Sequence, residues 1–88
     1  MSASLTLEQL CLDVRDFIAD SFLKNRDRAS LAIDDDLLTV LNSLQLLRMV
    51  LELESRYAVS IDNSELTPEN LGTVERVARF ITAKRNEV

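Results

Sequence analysis

Leu41-Asn42-Ser43-Leu44-Gln45-Leu46-Leu47-Arg48-Met49-Val50-Leu51-Glu52-Leu53-Glu54 is the densest apolar run in the chain, and it begins abruptly at an Asn-Ser pair. It holds no Gly or Pro, and Leu, Met, Gln, Glu and Arg all enter helices at little conformational cost. A polar residue just ahead of a helix caps it, because its side chain accepts from backbone amides that lack a partner within the helix. The run predicts a helix over about 43–57 with Ser43 at its positive end. At about 100° per residue, Leu53, Leu46, Tyr57, Val50, Leu47, Leu51 and Leu44 sweep an arc of about 180°. A surface helix needs an arc of only about 100°. The surplus predicts either unusual burial or an edge that meets a partner. The outer edge carries Leu44, Arg48, Leu51 and Ser55 in a single stripe.

Upstream, Thr6 and Gln9 have the spacing of a capping box, with Leu5 and Leu10 placed for a hydrophobic staple. Leu7, Leu10, Val14, Phe17, Ile18 and Phe22 then recur at three- and four-residue steps, which predicts a helix over about 7–23. The polar run Lys24-Asn25-Arg26-Asp27-Arg28 reads as its solvated end. From Ala29 to Leu41 no period is visible, yet Leu31, Ile33, Leu37, Leu38 and Val40 are apolar, so this long connection is expected to pack on the core. Asp34-Asp35-Asp36 lacks the spaced ligands and Gly of a calcium loop and reads as a solvated acidic turn.

Downstream, Ala58–Asp62 predicts an extended loop with Val59 and Ile61 turned inward. Asn63–Leu66 and Thr67–Leu71 are candidates for short helical turns, the second with Pro68 at a first helical position. Gly72 interrupts the chain, and Thr73 caps a last helix with Val74, Val77, Ala78, Phe80 and Ile81 apolar, fraying after Ala83. The expected fold is an all-α bundle of three main helices and one short helix, with a long packed loop between the first two. It forms one domain over 1–88, with an ordered core of about 5–83.

Composition narrows the function classes. Eighty-eight residues make one core, and an apolar fraction of 47% is enough to build it. A net charge of −5 repels a nucleic-acid backbone. No apolar run approaches the roughly 20 residues that span a bilayer, and the N-terminus lacks the basic region of a signal peptide. The single cysteine, Cys11, falls in a helical pattern, where a small semi-buried residue is expected; a reducing, cytoplasmic setting fits. With no histidine, Ser-His-Asp and Cys-His catalysis and the usual zinc ligand sets are excluded. A monomeric non-enzyme without a metal is expected.

A serine where Ser43 stands is ordinarily a cap. It is also a good platform for a phosphodiester, because amides and dipole at a helix start favour negative charge. At these residues the sequence resembles the acyl carrier protein family, four-helix domains in which an Asp-Ser-Leu motif opens the second helix. The matching residues are Asn42-Ser43-Leu44. The likeness continues through Val50, Leu53, Glu54, Tyr57, Val59, Ile61, Leu66, Thr67-Pro68-Glu69-Asn70-Leu71, Thr73-Val74 and Phe80-Ile81, and covers Leu5 to Ile81. It implies a covalent 4'-phosphopantetheine on Ser43 whose thiol holds acyl groups as thioesters. It also implies as partners a phosphopantetheinyl transferase, an acyl- or aminoacyl-loading ligase or transferase, and downstream synthases.

Two departures bear on those implications. The motif's Asp is Asn42 here, which removes a charge where the transferase reads the site. Carriers of fatty acid synthesis usually line the exposed face of the second helix with acids that meet basic patches on their enzymes. This chain has Gln45, Arg48, Ser55 and Arg56 on or near that face, and Glu52 as its only acid. Charge complementarity governs partner choice more than raw affinity. The expectation is therefore a stand-alone carrier of a specialised pathway, docking through Leu44, Arg48 and Leu51. The alternative is an unmodified helical module that grips a partner helix with the same edge.

Overall fold

Thr6 starts the first helix with a reciprocal cap. Its hydroxyl accepts from the Gln9 amide at 3.1 Å, and the Gln9 side chain accepts from the Thr6 amide at 3.0 Å. That satisfies donors the helix itself cannot, and α1 runs over Leu7–Phe22. The computed structural model describes residues 6–23 and 31–86; Leu5 of the expected staple and the run Lys24–Arg28 lie outside them. Leu10, Val14, Phe17 and Ile18 are buried along the expected stripe, and Cys11 and Ala19 are buried beside it. Burial raises the Cys11 thiol pKa, as does the charge of Glu75, which suits a packing residue.

The connection into the second long helix is not simply a packed loop. Asp36 accepts from the Leu38 amide at 3.0 Å and from the Thr39 hydroxyl at 3.1 Å, and so caps a one-turn helix, α2 (Leu37–Val40). Four residues are too few to display a period, which is why the sequence pattern misses it. Leu31 and Leu37 are buried as expected and Val40 is half-buried, but Ile33 and Leu38 are exposed; Leu41, just past α2, is buried as well.

Helix α3 spans Ser43–Tyr57. Met49, Val50 and Leu53 are buried, with Leu46 and Tyr57 packed against the same core. Met49 was not part of the predicted arc. It extends the arc on the Leu53 side, so the helix is rolled toward that side and Leu44, Leu47 and Leu51 are left out. The Tyr57 hydroxyl donates to the Asp13 carboxylate on α1, and Arg56 lies 3.7 Å from that carboxylate and 5.2 Å over the Phe17 ring. Burial first, and then this hydrogen bond, raise the Tyr57 pKa, so the phenol stays a donor at neutral pH. The helix ends at Ala58 in the left-handed region (φ 56°, ψ 48°), its amide on the Glu54 carbonyl. The Glu54 carboxylate accepts from the Ile61 amide at 2.8 Å and holds the extended segment inward.

Both downstream turns form: a 3-10 turn at Asn63–Glu65, and α4 at Pro68–Leu71 with Thr67 as its cap. Last comes α5 (Val74–Asn86), started by Thr73, whose hydroxyl accepts from the Arg76 amide at 3.1 Å. It packs along α1. The described residues thus hold three long helices, two short ones and the 3-10 turn, one short helix more than expected. No strand occurs among them. Gly72 joins the short helices to α5. Its carbonyl accepts from the Leu37 amide at 2.8 Å and its amide donates to the Pro68 carbonyl at 2.9 Å. A Cβ there would lie 2.5 Å from the same Pro68 oxygen, which only a glycine avoids.

Helix α5 continues to Asn86 instead of fraying after Ala83, because Lys84 reaches back to both Glu65 oxygens at 3.0 and 3.1 Å. The Asp62 amide first, and then Lys84, hold the Glu65 carboxyl below its usual range. A carboxylate depressed in the fold stabilises it above the unfolded pKa, and that stability is lost as pH falls through the folded value. Glu65→Gln should therefore lower the thermal midpoint at pH 7, and the gap to wild type should narrow as pH falls below the ordinary glutamate value of about 4.3. Melts followed by circular dichroism at pH 7 and pH 3 check this. An equal gap at both would show that the ion pair is not the source.

Candidate functional site

The cap of α3 belongs to Asn42, not to Ser43. Asn42 Oδ1 accepts from the Gln45 amide at 2.8 Å, and Gln45 Oε1 accepts from the Asn42 amide at 3.0 Å. The Leu46 amide closes the turn on the Asn42 carbonyl at 2.9 Å. An amide side chain thus does the capping that an aspartate would do, with one charge fewer. Ser43 becomes the first helical residue and is exposed. Among the described residues its hydroxyl enters no hydrogen bond, so the ordinary explanation for a serine at a helix start does not apply to it.

Two donors remain open beside that hydroxyl. The Gln45 and Leu46 amides are spent on Asn42, while those of Ser43 and Leu44 have no acceptor among the described residues. A fifteen-residue helix aims its positive end at this point. An anionic ester on Ser43 would find two amides and a favourable dipole, and no carboxylate at the preceding position. The residues present therefore fit a phosphodiester. They do not activate the serine: there is no histidine in the chain to act as its base. Nor is there a cluster able to hold a metal among the described residues.

Ser43 also stands on the rim of an apolar cleft of about 250 Å³ between α3 and α4, walled by Leu46, Leu47, Val50, Leu66 and Leu71, with Leu38 of α2 at its edge. Periodicity did not indicate this cleft. Leu38 belongs to a one-turn helix and Leu66 to the link between the 3-10 turn and α4, neither with a readable period, and Leu47 reads as core on the helical wheel. Only the packing of α2 and α4 against α3 reveals what these residues share. The exposure of Leu38 is explained by it.

The outer edge of α3 lies where the sequence put it. Leu44, Leu47 and Leu51 are 61%, 51% and 57% exposed, and Arg48 and Ser55 are exposed among them. Ser43 and this edge follow one another along one helix. No helix among the described residues is long and apolar enough to cross a membrane.

No protein-family model matches the chain. A curated protein of Exiguobacterium sibiricum named "Acyl carrier protein" is 32% identical to it over 79 residues, which is 88% of this chain and 95% of that protein.

Proposed function

The chain belongs to the acyl carrier protein family, and on that premise we propose that Ser43 bears a 4'-phosphopantetheine arm with which the protein delivers acyl or aminoacyl intermediates to the enzymes of one biosynthetic pathway. The observation that carries this reading is an exposed serine hydroxyl with no structural use, next to two open amides at the head of α3. When bound, the group supplies a terminal thiol that holds the cargo as a thioester.

This chain's residues provide the rest. The Ser43 hydroxyl provides the oxygen of the ester, and the transferase must provide the base. The Ser43 and Leu44 amides, with the dipole of α3, favour the phosphate's charge. Asn42 and Gln45 hold the first turn in place. The cleft between α3 and α4 offers apolar cover to the part of a cargo nearest the serine. The protein catalyses nothing. Tethering raises the effective concentration of cargo at each enzyme. In this reading it acts as a monomer in the cytoplasm, with a phosphopantetheinyl transferase, a loading ligase or transferase, and downstream synthases as partners. Arg48 among the exposed leucines supports a specialised pathway over general fatty acid synthesis.

Intact-protein mass spectrometry after incubation with coenzyme A and a broad-specificity transferase tests the proposal. The expected result is a single phosphopantetheine addition that fragmentation assigns to Ser43. No addition would leave the unmodified interaction module, gripping a partner helix through Leu44, Leu47 and Leu51, as the better account.

A further inference from the structure

The charge pattern along α3 identifies the kind of surface it meets, an inference that rests on the carrier reading above. The chain is acidic overall, at −5, yet its exposed α3 face is not. Arg48 stands between Leu44 and Leu51, exposed, and enters no ion pair or hydrogen bond among the described residues. Glu52, one turn on, is not within ion-pair distance of it. Arg56 is occupied by Asp13 and the Phe17 ring, and Glu54 by the Ile61 amide. Beside Arg48 a hollow of about 360 Å³ opens between α3 and the end of α1, lined by Ser21, Phe22, Arg48, Leu51 and Glu52. Three leucines more than half exposed thus surround one unspent guanidinium.

We propose that this face docks an enzyme whose own docking surface is apolar and carries a carboxylate positioned to meet Arg48. The leucines supply the area. Arg48 supplies register, because its planar fork pairs with a carboxylate in a fixed geometry. A basic docking surface is disfavoured, since it would press like charge onto Arg48 as the leucines desolvate it. Glu52, exposed in the same hollow, lies about 40° further round α3 from the leucines than Arg48, so the guanidinium is the charge nearer the apolar contact. The acids elsewhere on the chain do not reverse this choice. At physiological ionic strength, charges more than about 8 Å away are largely screened, so those inside the contact decide the pairing.

The test is binding of the full unmodified chain to two forms of one malonyl transferase of bacterial fatty acid synthesis. One form has its natural basic docking patch, and in the other the basic residues of that patch are reversed to Glu. Docking does not require the arm, so the outcome is independent of whether Ser43 is modified. The wild-type chain should bind the reversed form about tenfold more tightly than the natural one, and Arg48→Glu should invert that preference. Leu51→Ala should weaken binding to both forms, and circular dichroism on each variant should confirm an unchanged helical fold. Equal affinity for the two forms, or a preference unmoved by Arg48→Glu, would overturn the proposal. Binding of a second copy of the chain in place of either form, seen by light scattering, would overturn it too.

Discussion

Ser43→Ala protein will unfold at the wild-type temperature and gain no mass from coenzyme A and a transferase. Both halves follow from the start of α3. The cap hydrogen bonds run between Asn42 and Gln45, and Ser43 contributes only its backbone to the helix. Alanine has the best helix propensity of any residue, so the change in stability should stay within about 0.5 kcal/mol. Were Ser43 the cap, its loss would cost about 1 kcal/mol. The modification, in contrast, is all or none, because no other atom can take the place of the ester oxygen. A thermal melt and an intact mass on the same sample separate the two roles. A lowered midpoint would return Ser43 to a structural part, and residual addition would move the site elsewhere.

Leu53→Ala will produce the largest loss of stability on α3. Leu53 is 0% exposed, in the core that α1, α3 and α5 share. Truncating a buried leucine removes transfer free energy and leaves a cavity, together about 2–5 kcal/mol. A domain this small has about 5–10 kcal/mol in total, and with a urea slope of about 1 kcal/mol per molar the midpoint should fall by about 2–5 M. Leu51→Ala is the internal control. It is the same residue type on the same helix, but 57% exposed, and should move the midpoint by well under 1 M. Equal shifts for the two would contradict the roll of α3 described above.

How far the sequence could be read follows from element length. The long helices were legible because their stripes repeat often enough to outweigh accident; Leu10, Val14 and Phe17 are buried where the spacing put them. The head of α3 was legible to within one residue. Pattern alone could not divide the roles of Asn42 and Ser43, since both side chains can cap. Helix α2 was missed because a single turn has no period, and its cap at Asp36 was hidden among three adjacent aspartates. The cleft was missed because its walls come from three separate helices and the link that precedes α4. Met49 was missed because a wheel ranks positions by angle and does not know how the helix is rolled by its neighbours. The stripe Leu44, Arg48, Leu51 and Ser55 was legible for the opposite reason: it lies opposite the core, where a small error in roll changes little.

Neither partner in the cap that opens α3 can gain or lose a proton. An aspartate in the place of Asn42 would exchange an acceptor oxygen for a hydroxyl as the medium entered the carboxylate range, and the first turn would loosen with it. With an amide on each side, the same two hydrogen bonds hold in acid as at neutrality. The turn that presents the serine therefore keeps its cap across the whole carboxylate range.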